Sequence, residues 1–181
     1  MKNPIVAASL FASAALLAPA CVVVSHEEVH HDPAQAEQAF AMIASLAGNW
    51  HGTAHTGAQE FPVDVSYEVT SNGTAVLERL FRGTPHEMVT LYHRDGDRLL
   101  LTHYCSAGNQ PRMQLTGWSA GPERTASFSF VDATNYPDPS QLVMHDARIT
   151  KISDEHAAGT WTAWVGGKAD HSANFDLRRV R

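Results

Sequence analysis

Cysteine is almost absent: the 181 residues carry two, Cys21 and Cys105. A disulfide-stapled scaffold is therefore excluded. Cationic charge is scarce as well. Thirteen Lys and Arg stand against nineteen Asp and Glu, for a formal net charge of −6 with histidine neutral. With no basic patch to follow a phosphate backbone, nucleic acid is not an expected partner. Long apolar runs are missing after the first twenty residues, and the one run there, Ile5–Leu17, is too short and too soon followed by polar residues to span a membrane. No phosphate-binding loop and no strong catalytic motif stands out, so neither a reaction nor a cofactor can be named, and an enzyme is not established. What is present is enough apolar residue (44%) to build a core and eleven histidines, whose charge can change between pH 5 and 8.

The N-terminus reads as a targeting segment. Lys2 is a minimal positive region, Ile5–Leu17 the apolar region, and Ala18-Pro19-Ala20 a small-residue cleavage pattern, so residues 1–20 are expected to be a signal peptide. Leu17-Ala18-Pro19-Ala20-Cys21 resembles a bacterial lipoprotein cleavage box, with Ala18 where such boxes usually carry Leu. Lipidation at Cys21 with membrane anchoring and plain export stand as alternatives. Both put the mature protein in the periplasm or cell envelope. If Cys21 is lipidated, Cys105 is a lone buried thiol; a Cys21–Cys105 disulfide would require a long segment to fold back. Residues 21–32 form a polar tether in which Ser25–Asp32 holds three histidines and three carboxylates. Such groups suit zinc or copper, but a short histidine tract enforces no geometry, and a solvated linker is the reading adopted; no metal site is assigned.

Residues 33–181 are expected to be one domain. Asp32 is a good N-cap, Pro33 suits the first helical position and Gln35 follows where a capping box wants Glu or Gln. Ala36, Phe40, Ile43, Leu46 and Ala47 give the helix an apolar face, and Gly48 is placed to end it. From Trp50 the period becomes two. Val63, Val65, Tyr67 and Val69 alternate with Asp64, Ser66, Glu68 and Thr70, and Asn72-Gly73 turns the chain so that Val69 meets Val76, Tyr67 meets Glu78 and Val65 meets Leu80. A second hairpin about Asp95-Gly96 sets Tyr92 opposite Leu99, Thr90 opposite Leu101 and Met88 opposite His103, with its inward face undecided. Strands over 113–118, 125–131, 142–152, 158–165 and 173–180 complete the pattern. The expected fold is all-β: a closed or nearly closed antiparallel up-and-down barrel of about ten strands with one short N-terminal helix.

A helix running into Gly48-Asn49-Trp50, with an Arg on the last strand, resembles the lipocalin and calycin superfamily. That resemblance implies that Trp50 packs under Arg179 (Arg178 being the alternative) at the closed end. Pro85–Asp97, Leu101–Cys105 and Gly108–Met113 resemble a family of exported bacterial lipocalin-like proteins of undescribed function, over roughly Phe40 to Arg181. It implies the fold and no reaction.

A small barrel is either filled or holds one ligand, so polar residues at inward positions are the candidates. Glu78 lies in phase with Val76 and Leu80, opposite Tyr67. It either contacts a ligand or is a structural carboxylate bonded to Tyr67 or to an Arg such as Arg82. His145, in phase with Val143, Ala147 and Ile149, and His103, in phase with Leu99, Leu101 and Cys105, are inward by parity. Each could bind haem iron, a metal or a ligand, or be a satisfied core histidine. Asn109, Gln110 and Arg112 can grip a polar head at the mouth or simply order a turn. Trp118, Trp161 and Trp164 are aromatic candidates for lining or core. The expected function is binding of a small, largely apolar molecule. The alternatives are a haem or metal binder using an interior histidine and an enzyme with a Glu78/His103 acid–base pair; a filled structural barrel is the bland reading.

Overall fold

The computed structural model describes residues 32–181. The expected signal peptide, the Cys21 lipidation site and most of the histidine-bearing tether lie outside them. Asp32 caps α1 (Pro33–Ala44) by accepting from the backbone N–H of Ala34 at 2.9 Å. Ala36, Ala39, Met42, Ile43 and Leu46 are buried, so the helix lays an apolar stripe across one end of the strands.

Those strands number ten: β1 (Gly48–Thr56), β2 (Gln59–Thr70), β3 (Ala75–Leu80), β4 (Met88–Asp95), β5 (Arg98–Tyr104), β6 (Gln110–Ser119), β7 (Arg124–Thr134), β8 (Val143–Lys151), β9 (His156–Val165) and β10 (Lys168–Arg179). Each pairs antiparallel with its sequence neighbours, and β1 pairs with β10, so the sheet is a closed, all-β barrel. The inward side chains are the in-phase ones: Val63, Val65 and Tyr67 on β2, Thr90 and Tyr92 on β4, Leu99, Leu101 and His103 on β5. Val69 continues the β2 alternation but is 42% exposed, because the strand outruns the barrel there.

The end beneath α1 is sealed by packing and hydrogen bonds. Trp50 is buried and its indole N–H donates to the Leu46 carbonyl at 2.8 Å. Arg179 pairs across the seam with Trp50 and sets its guanidinium 4.3 Å from the ring centroid. The same guanidinium donates to the carbonyls of Asp154 and Ala47, both at 2.7 Å, satisfying carbonyls in the link from α1 to β1 and in the β8–β9 turn. Gly48, at φ +129, leaves the room this needs: a Cβ there would stand 2.7 Å from the Arg179 Nη1.

The β2–β3 register is Val69 to Val76, Tyr67 to Glu78 and Val65 to Leu80. The β4–β5 register departs from the expected one. Tyr92 faces Leu101 and Thr90 faces His103, because the two turn residues are Gly96 and Asp97 and not Asp95 and Gly96. Gly96 has φ +61 and Asp97 is not among the left-handed residues, which is the pattern of a turn with Gly at its first central position. Asp95 then pairs with Arg98, and their side chains form an ion pair.

Candidate functional site

The barrel end opposite α1 is open. A cavity of about 490 Å3 enters there, lined by the last residue of β1, the starts of β2, β4, β8 and β10, the end of β3, the His103 end of β5 and Trp161 of β9. Its walls are apolar, with Leu80, Met88, Met144 and Trp161 among them. At the mouth the rings of Phe61, Phe81 and Phe175 form a chain, with centroids 6.0 and 6.5 Å apart. Phe81 holds φ +54, a conformation unfavourable for a bulky residue, and this aims its ring over the opening. Thr84 and His86 from the same loop, Ser106 and His171 complete the rim. An ion pair anchors that loop: Glu87 accepts from Arg79 at 2.6 Å and from the Gly83 N–H at 2.8 Å.

The chain's chemistry is concentrated in one row. Tyr67, Glu78, Thr90 and His103 stand directly opposite one another on four successive strands, β2 to β5. All four point inward and are buried. Glu78 accepts from the Tyr67 hydroxyl at 2.8 Å on one carboxylate oxygen and from the Tyr92 hydroxyl at 2.6 Å on the other. Thr90, next in the row, sets its Oγ1 2.9 Å from His103 Nδ1. Burial raises the Glu78 carboxyl above its ordinary range, and the bonds from Tyr92, Tyr67 and Thr90 work against that rise. Burial also raises both tyrosines, helped by the Glu78 charge.

His103 ends the row and alone among these residues lines the cavity. Its ring packs on Trp161, with centroids 4.7 Å apart. It is 2% exposed, and its Nε2 is buried with no hydrogen-bond partner. Burial pulls its pKa down to about 4, so the ring is neutral near physiological pH. The stability contributed by neutral His103 is fully present above its ordinary value of 6.5 and is lost as pH falls through about 4. The loss amounts to about 3 kcal/mol over that window. Denaturant unfolding at neutral pH and near pH 4 should therefore show an acid limb that His103→Phe removes; an unchanged limb would assign the acid sensitivity to other groups.

The remaining candidates sit elsewhere. His145 does not line the cavity, because the β8–β9 register shifts between Met144 and Asp146 and Met144 takes the lining position. His145 is instead stacked between Trp164 and Phe130, with centroids 3.8 and 5.0 Å away, and bonds Asp146. Asn109 is buried and donates to the Leu142 carbonyl at 2.7 Å, tying the β5–β6 loop to the start of β8. Gln110 accepts from Thr134 and Asn135, and Arg112 pairs with Asp132; neither lines the cavity. All three thus serve loop and ladder contacts. Among the tryptophans Trp161 lines the cavity, Trp118 donates to Gln38 on α1 at 3.0 Å and Trp164 belongs to the His145 stack. Cys105 is a free, partly buried thiol outside the lining.

Two hydrolase-like spacings also occur. Gly117-Trp118-Ser119-Ala120-Gly121 has the Gly-x-Ser-x-Gly order, but Ser119 ends β6, is followed by a β-strand and not a helix, and has no left-handed φ, so it forms no nucleophile elbow. His26-Glu27-Glu28-Val29-His30 has the His-Glu-x-x-His order and lies outside the described residues. Among the described residues no group of three or more His, Cys, Asp or Glu is arranged to hold a metal ion. The residues that sequence parity did not single out are Thr90 and the mouth phenylalanines. Thr90 was recoverable, since it is a polar residue in phase with Tyr92 and one register step from His103.

No protein-family model matches this chain, and comparison with curated proteins finds no relative. Among solved structures it is similar to Rv2717c from M. tuberculosis, at 14% identity and a TM-score of 0.58, covering 79% of this chain and 98% of that one. It is also similar to a protein of unknown function of the DUF3598 family from Nostoc punctiforme, at 14% identity and a TM-score of 0.52, covering 76% of this chain and 49% of that one. The chain thus spans about half the length of the second. At these identities the likeness is one of fold, that of a closed antiparallel barrel.

Proposed function

We propose that this protein is an exported lipocalin-like barrel that holds a small, largely apolar molecule in its interior. The observation that carries the reading is the apolar cavity of about 490 Å3 with one buried, unpartnered polar atom, His103 Nε2, beside it. That size falls in the range of small-molecule sites, and a few polar groups on apolar walls is their usual chemistry. A filled structural barrel would offer no such space. Export rests on the Lys2 to Ala20 leader, and Cys21 lipidation is its anchored form. Nucleic acid is not a proposed partner for a chain of net charge −6. An acid–base enzyme using Glu78 directly is less well supported, because Glu78 does not line the cavity and both its oxygens are taken by the Tyr67 and Tyr92 hydroxyls.

The test is native mass spectrometry of the protein purified from its own cells, with an absorbance scan on the same sample. A bound mass that leaves on denaturation is the expected result. A Soret band would replace this reading with a haem barrel and make His103 the first residue to substitute, since His145 is stacked away from the cavity. An empty protein that also binds no apolar probe, such as an alkylphenol, would overturn both.

A further inference from the structure

We propose that the cavity takes a single-chain lipid tail first and holds an uncharged, hydroxyl-bearing head, such as that of a monoacylglycerol, at its rim. The inference rests on the ligand-binding reading above and adds the ligand's orientation and the charge of its head.

The lining is sorted by depth. Leu80, Met88, Met144, Trp161 and Phe175 make apolar walls. None of Tyr67, Glu78, Thr90 and Tyr92 lines the cavity, so it stops short of the buried hydroxyl row. Along β10 the lining runs from His171 to Phe175, about 13 Å at the usual rise of a strand, which is the reach of a short hydrocarbon tail. Apart from His103, the polar residues of the lining are Thr56, Thr84, His86, Ser106 and His171, all near strand ends or in loops at the open mouth. A head pushed inward would leave its hydroxyls against hydrocarbon with nothing to bond, whereas a tail pushed inward sheds apolar surface. Two rim groups are engaged within the protein: the Thr84 hydroxyl donates to the Phe81 carbonyl at 2.8 Å, and His171 Nδ1 lies 2.7 Å from Asp170. The side chains of Thr56, His86 and Ser106 bond no other protein group among the described residues, so three groups able to donate and to accept stand round the opening.

Charge decides the head. No Lys, Arg, Asp or Glu lines the cavity. Arg82, on the mouth loop, lines an outer groove with Arg79 and Asp64 instead, and Arg79 is paired with Glu87. A carboxylate or phosphate head would shed water at the rim with no cation to receive it. An ammonium head gains little, because the one carboxylate beside the rim, Asp170, is already taken by His171 and half-exposed to water. A glycerol head needs only the hydrogen bonds that the rim offers.

The test compares monodecanoylglycerol, decanoate and decyltrimethylammonium by calorimetric titration into the protein, below their micelle concentrations and at about pH 8, where decanoate is ionised. The expected result is that the monoacylglycerol binds at least about tenfold more tightly than either ion. Intermolecular NOEs should run from its terminal methyl to the Trp161 ring and from its glycerol protons to Ser106. Ser106→Lys, an exposed change, should raise decanoate affinity at least about tenfold by supplying the missing cation. Equal or tighter binding of either ion by the wild-type protein, glycerol NOEs to Trp161, or no gain in Ser106→Lys overturns this inference and leaves the cavity reading standing. So does binding of 4-hexylphenol with none of the three amphiphiles. If 4-hexylphenol fails as well, both readings fall.

Discussion

Gly52→Ala should prevent the barrel from closing. Gly52 sits on the β1–β10 seam opposite Leu177, and a Cβ built there falls inside contact distance of the Asp176 carbonyl oxygen, 2.9 Å from its carbon and 3.0 Å from the Leu177 Cα. All three neighbours are backbone, so no rotamer change can relieve the overlap. The strands must part where the ladder holds Trp50 under Arg179. Overpacking against a rigid neighbour, together with lost ladder bonds, belongs to the severe class of substitutions, about 4 kcal/mol or more, a large share of a domain's whole stability. Gly117→Ala is the internal control, because its Cβ would make an ordinary contact with the Ser127 side chain at 3.6 Å and should cost about 1 kcal/mol or less. Denaturant midpoints of the two variants decide the matter. A Gly52→Ala midpoint equal to that of Gly117→Ala would mean the seam adjusts without strain.

The second large effect is expected at Glu78. Glu78→Ala removes a buried acceptor shared by Tyr67 and Tyr92 and leaves their hydroxyl donors facing an apolar void. Unsatisfied donors and a cavity together cost about 3–5 kcal/mol. Glu78→Gln keeps the shape and one acceptor oxygen and should cost about 1–2 kcal/mol. The two variants also separate charge from packing through pH. Because burial raises the Glu78 carboxyl above 4.5 in the folded protein, the stability carried by its protonated form is fully present below 4.5 and is lost as pH rises through the raised value. Glu78→Gln should flatten that alkaline-going decline while leaving the acid limb of His103, which has the opposite sign. A stability profile of Glu78→Gln parallel to the wild type throughout would show that Glu78 keeps the same protonation when folded and unfolded.

Most of the architecture was legible in the sequence because it depends on period and punctuation. The switch from helical spacing at Ala36–Leu46 to alternation after Trp50, and turn residues between the runs, led to an all-β barrel of about ten strands with a helix at the front. The register of the first hairpin could be read because Asn72-Gly73 centres it. The second hairpin was misread by two positions, because Asp95-Gly96 has the composition of one turn type while the chain forms another on Gly96-Asp97. A shift of two keeps every face, so His103 was still placed inward, but it erased the Thr90–His103 pairing. His145 illustrates the complementary limit. Parity assumes an unbroken ladder, and one irregularity beside Met144 exchanges which residue lines the cavity. A pocket lined from eight strands and two loops leaves no local pattern at all, which is why Phe61, Phe81 and Phe175 carried no signal.

The pairing of the first strand with the last also sets an order of events. Until β10 is available, β1 has a partner on one side only, and Trp50 lacks the cation that covers it. The contact that completes the wall therefore spans nearly the whole domain, and the ring closes late, after the local hairpins have formed. Loss of the last strand, β10 (Lys168–Arg179), would leave two raw sheet edges on one molecule, each able to recruit a strand from another copy. A nascent or clipped chain of this protein is thus a template for aggregation, whereas the finished one presents no edge to join.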